Sequence, residues 1–101
     1  MKNLVPVYRV TVITESEMEP IIVDRFVKLG AKGYTCVGCR GRGEHEVFED
    51  PLRAAGRVRI EAIVQPSVAE QIMDYLHGPQ FAARPLAVCL ENVLVSPHDR
   101  F

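Results

Sequence analysis

The residues best suited to chemistry lie together. Gly38-Cys39-Arg40-Gly41-Arg42-Gly43 sets two arginines between glycines. Glycine lets a backbone approach a ligand closely, and successive N–H groups can form a concavity for an anion. The guanidinium fork matches phosphate or carboxylate oxygens. The chemistry implied is capture of a small anion, although the same spacing also fits the flexible start of a loop. A Walker loop is excluded because no GK[ST] occurs, and a dinucleotide fingerprint because no helix follows. Nine of the 12 basic residues are Arg, and five of them, Arg40, Arg42, Arg53, Arg57 and Arg59, crowd into residues 40–59. Glu44, Glu46, Glu49 and Asp50 interleave with them, so the stretch is a mixed patch.

Cys36 and Cys39 form a C-x-x-C, which reads as zinc or redox chemistry only in the right context. No second cysteine pair accompanies them, no helix starts there, and their opposite parity on a strand sends them to opposite faces. They read as ordinary strand cysteines, and Cys89 as core. His45, His77 and His98 are scattered, with His77 at a helix end where a cation suits the dipole. Glu15, Glu17 and Glu19 sit at a helix start, where negative charge is favoured. Glu61 and Glu91 are strand carboxylates expected to pair with Arg59 or with an arginine of another subunit. No hydrolase motif of the S-x-x-K, G-x-S-x-G or H-E-x-x-H type occurs, and no catalytic activity is expected.

The chain of 101 residues carries 12 Lys+Arg against 13 Asp+Glu, a net charge of −1. That balance disfavours a nucleic-acid binder, which would be basic and would expose aromatic residues on its sheet. The length suits one domain over residues 1–101, with a small core that favours self-association. No apolar run reaches membrane-spanning length, and three cysteines without a leader suggest a reducing, cytoplasmic setting.

These residues must be positioned by strands and helices. Residues 7–14 alternate, with Tyr8, Val10 and Val12 on one side and Arg9, Thr11 and Ile13 on the other, which predicts a strand. Ser16 and Glu19 have capping-box spacing, and Met18, Ile22, Phe26 and Leu29 make a helical stripe over 18–29, stopped by Gly30. Residues 33–39 read as a strand. Residues 40–56 lose periodicity, a long loop for so small a domain. Residues 57–64 form a strand with Val58, Ile60, Ala62 and Val64 on one face. Ser67 and Glu70 suggest a second capping box, Val68, Ile72 and Leu76 a second helix, and Gly78-Pro79 its end. Residues 79–85 read as a loop, and 86–95 as the last strand. The order β-α-β-β-α-β predicts an α+β, ferredoxin-like fold with a four-stranded antiparallel sheet and both helices on one face. The other face is too apolar for water alone and is expected to pack against sibling subunits.

Gly33-Tyr34-Thr35, followed by Cys39-Arg40-Gly41-Arg42-Gly43, resembles the PII signal-transduction family, as does Val58-Arg59-Ile60-Glu61. The resemblance spans nearly the whole chain. It implies a homotrimer with adenine nucleotide in clefts between subunits, and a signalling loop (the T-loop, about 40–57) that addresses a partner protein. Thr35, Arg40, Gly41 and Gly43 match nucleotide-proximal positions of the family, and Arg84 falls where a phosphate-binding Lys is expected. His45 replaces the Gln used for metal and 2-oxoglutarate, Phe81-Ala82-Ala83-Arg84 replaces G-D-G-K, and Val95 and Pro97 stand where two arginines are usual. Arg100, Arg57 or Arg59 would compensate. Fewer phosphate contacts favour ADP or AMP over ATP.

The departures resemble the PII-like branch linked to inorganic carbon. That branch implies bicarbonate as an effector, with Arg57 and Arg59 as its forked donors, and a partner such as a bicarbonate transporter or a carboxysome component. The alternatives are a nitrogen-regulatory PII protein, a trimer resembling divalent-cation tolerance proteins, or a small redox or hydrolytic enzyme.

Overall fold

The computed structural model describes residues 3–41 and 56–99. Strand β1, Val5–Glu15, runs into a single 3₁₀ turn, Ser16–Met18, and then helix α1, Glu19–Lys28. Strand β2 is Thr35–Cys39 and β3 is Arg57–Val64. Helix α2, Pro66–Leu76, is followed by a 3₁₀ turn, Pro79–Phe81, and by β4, Ala87–Val95. The four strands lie in the order β2-β3-β1-β4, all antiparallel. This is the ferredoxin-like arrangement that the element order predicts.

The period-two pattern puts one face of the sheet under the helices. Val10 and Val12 on β1 and Val58, Ile60, Ala62 and Val64 on β3 are buried, packed with Ile22 and Phe26 of α1 and Ala69, Ile72 and Leu76 of α2. Cys36 is packed against this core. The opposite face carries Arg9, Thr11 and Ile13 beside Arg59, Glu61 and Ile63, in register.

Neither expected capping box forms. The N-caps are Met18 and Gln65, and neither side chain makes a capping hydrogen bond. Each helix instead has proline in its first two positions, Pro20 and Pro66. Proline presets φ for a helix and lacks an N–H that would be unpaired there. Helix α1 ends in a Schellman motif, with Gly30 N–H donating to Val27 O at 3.1 Å and Ala31 N–H to Phe26 O at 2.9 Å. Gly30 takes φ 115°, and a Cβ there would lie 3.1 Å from Val68 Cγ2. Cys89 is a second correction. It faces away from the helices, opposite Thr11, and is exposed. Strand β4 lies at the sheet edge, and alternation in an apolar strand does not tell which face is covered.

A candidate anion site at the end of the sheet

Of the predicted site residues, Arg40, Gly41, Arg57 and Arg84 gather at one end of the sheet. Arg40 and Gly41 follow directly on β2, exposed to solvent. Arg57, the first residue of β3, stands opposite both Cys39 and Glu15. Arg59 lies two residues further along the same face and pairs with Glu61, Nε to Oε1 at 2.9 Å. Thr35 begins β2 opposite Glu61, midway along β3. Gly43, His45 and Arg100 lie outside the described residues. So does most of the expected signalling loop.

Arg84 reaches this end from the segment before β4, and two contacts fix that segment. Phe81 is buried edge-on against Tyr75, with ring centroids 5.1 Å apart and an interplanar angle of 88°. Thr14 Oγ1 donates to Pro85 O at 3.2 Å. The Phe81 that stands in place of a glycine-rich loop is thus a core anchor. Between the two contacts, Arg84 Nη1 donates to Glu17 Oε1 at 2.9 Å and to Glu15 Oε1 at 3.4 Å. The hydrogen bond to Glu17, then that to Glu15, raises the Arg84 pKa and keeps its guanidinium charged. Ser16, between the two glutamates, donates its N–H to Gly56 O at 2.9 Å. One short turn therefore holds both Arg84 and the residue that leads into β3. Sequence reasoning assigned Glu15 and Glu17 to the helix start and missed this role. The only signal was their placement on either side of Ser16, at the strand end and two residues beyond it.

A second feature occupies the other end of the sheet. A cleft of about 630 Å³ is walled by Val7, Ile63, Val68, Val95 and Pro97, with Lys32, Gln65 and Asp99 contributing polar atoms. That volume suits a small organic ligand. The ends of β3 are roughly 23 Å apart at about 3.3 Å per residue. The arginine end and the cleft therefore cannot grip one small molecule within a single chain.

The rest of the open face is internally neutralised. Arg9 is bound to Glu91 by two hydrogen bonds of 3.1 and 3.0 Å and lies 3.8 Å from Glu61. Together with Arg59, this makes two positive and two negative charges. Burial pushes the Cys36 thiol up, with Glu19 adding to the shift, which makes it a poor nucleophile. Among the described residues, no group of three or more His, Cys, Asp or Glu could hold a metal ion. Among them, too, no helix is long and apolar enough to cross a membrane.

Residues 7–85 match the family described as Nitrogen regulatory protein P-II. The chain belongs to the P-II family. A protein from Thermus thermophilus described as PII-like is 34% identical to this P-II chain, with 93% of each covered and a TM-score of 0.77. CPII from Thiomonas intermedia, in a structure bound to ADP and bicarbonate, is 26% identical over 92% of this chain and 91% of its own, with a TM-score of 0.80. A structure of CPII bound to ADP, AMP and bicarbonate matches at 24% identity, 92% and 96% coverage and a TM-score of 0.78. No curated protein matches the chain.

Proposed function

We propose that this P-II chain forms a trimeric, non-catalytic sensor that binds ADP or AMP between subunits, with ATP less favoured and bicarbonate as a second effector. The observation that carries most weight is the likeness to CPII, whose structure holds ADP and bicarbonate. The two-ended site supports the same reading. In a closed ring, the arginine end of one copy meets the apolar cleft of the next, so Arg40, Gly41 and Arg84 face phosphates while Val7, Ile63 and Val95 enclose the base; Gly43 is proposed as a further phosphate contact. Thr35 sits between the two ends. Arg100, next in sequence after the cleft residue Asp99, is proposed as a further phosphate contact.

The open sheet face packs inward in this trimer. Its charges balance in pairs, which reduces the cost of removing them from water. Val5 and Val37 are 38% and 42% exposed in the single chain and become covered. Arg57 and Arg59 provide forked donors for bicarbonate. The segment joining β2 and β3 carries the signal to a partner such as a bicarbonate transporter or a carboxysome component.

Isothermal titration of the purified protein tests this reading. Saturable heat is expected with ADP and AMP, less with ATP, and a further response on adding bicarbonate. A folded trimer that gives no heat with any of these overturns it. Arg40→Ala should weaken nucleotide binding without lowering the thermal midpoint.

A further inference from the structure

From the geometry at Arg84 we infer that Glu15 and Glu17 are internal competitors, carboxylates that a phosphate ligand must displace from Arg84 and that thereby limit its affinity. The inference rests on the reading of Arg84 as a phosphate contact. Both carboxylates bind the same nitrogen, Nη1, at 3.4 and 2.9 Å. Both come from the turn at the end of β1, while the guanidinium comes from a segment far later in the chain. The arrangement is therefore tertiary and not a local helix pairing. The backbone on each side of Arg84 is anchored through Phe81 and through Pro85 O, so its side chain can change partners while its Cα stays in place.

Competition limits the affinity. Arg84 is 43% exposed at its side chain, and Glu15 and Glu17 are 42% and 67% exposed, so water and salt screen the pairs and each is weak. A diphosphate brings charge and several acceptor oxygens to the same fork and can replace the carboxylates there, at the cost of the pairs it breaks. The two glutamates also bound the benefit of any added phosphate, because each new contact at Arg84 replaces an existing one.

Calorimetry on the full chain tests this with ADP, inorganic pyrophosphate and bicarbonate as probes. Glu15→Gln/Glu17→Gln should tighten ADP and pyrophosphate by about three- to tenfold, the scale of exposed ion pairs. Bicarbonate affinity should change less than either. Glu70→Gln/Asp74→Asn removes the same charge from exposed positions on α2 and should leave all three affinities within about twofold, as screened distant charges would. If the control pair tightens binding equally, general charge is responsible and the inference fails. Unchanged or weaker ADP and pyrophosphate binding in the Gln/Gln variant also overturns it, even though ADP binding by the wild type would leave the nucleotide reading intact. Tighter pyrophosphate binding with no ADP binding by either protein upholds the inference and overturns the nucleotide reading. Absence of binding by either probe in both proteins overturns both.

Discussion

Arg9 on β1 donates from Nε and Nη2 to the two carboxylate oxygens of Glu91 on β4, at 3.1 and 3.0 Å. The two residues face each other across the ladder. Glu61 approaches Arg9 from the other side, on β3, and is itself held by Arg59. A row of four charges therefore crosses three strands on the face away from the helices, with each carboxylate touching a guanidinium. Such a row fixes strand register while leaving the face neutral overall.

The row should respond to acid. The hydrogen bond and charge of Arg9 hold the Glu91 carboxyl below its ordinary value of 4.5. A carboxyl with a lowered folded pKa stabilises the fold above the unfolded value, and that contribution is lost as pH falls through the folded one. Thermal midpoints of wild type and Glu91→Gln should thus differ at about pH 7 and converge below about pH 4.5. A gap that stays constant down to about pH 3 would rule out this linkage.

Arg9→Met leaves Glu61 and Glu91 near each other without their shared cation. Self-association should weaken, and added salt should recover part of it by screening the two carboxylates. Sedimentation at about 0.05 and about 0.5 M NaCl, on either side of the physiological screening range, reads this directly. Equal assembly of variant and wild type at low salt would contradict it.

Gly30 occupies the left-handed region, and its Cβ position is already crowded by Val68. Gly30→Ala should cost about 1–2 kcal/mol from backbone conformation alone. In a Val68→Ala background, the contact is relieved but the conformational cost remains, so most of the loss should persist in chemical denaturation. Complete rescue would assign the effect to crowding.

Core substitutions calibrate the fold. Phe26 and Ile60 are fully buried. Phe26→Ala should cost about 3–5 kcal/mol and Ile60→Val about 0.5–1.5 kcal/mol. Against a typical total of about 5–15 kcal/mol, the first approaches unfolding and the second does not. Urea midpoints with unchanged slopes check both.

No atom lies within 4 Å of a Cβ placed on Gly41. Gly41→Ala should therefore leave the thermal midpoint of the chain unchanged. If its backbone meets phosphate, the added methyl should weaken ADP by about tenfold, equivalent to about 1.4 kcal/mol. Unchanged ADP affinity would remove Gly41 from the site.

Much of the fold was legible because its signals are local. Alternation located β3 at residues 57–64, and the Ile22–Phe26 and Ile72–Leu76 spacings located the helices. Helix starts were misread because Ser16/Glu19 and Ser67/Glu70 have the right spacing, whereas Pro20 and Pro66 determine the geometry. Cys89 was misread because β4 is apolar on both faces, with Leu90 and Leu94 also exposed. Arg84 could be aligned with a phosphate-binding position, but its pairing with Glu15 and Glu17 depends on tertiary approach and leaves no mark in spacing. The Arg9–Glu91 pair was likewise hidden until β4 was known to lie beside β1.

That same adjacency constrains how the chain folds. The register joins Ile13 to Ala87 and Val5 to Val95, nearly the full span of the sequence. The hairpin of β2 and β3, and the β1–β3 pairing, need only the first two-thirds of the chain. During synthesis the outer edge of β1 waits, unpaired, for the last strand to emerge. Nascent copies on neighbouring ribosomes expose this same edge, so the pairing that completes the monomer is also the one most open to exchange between chains.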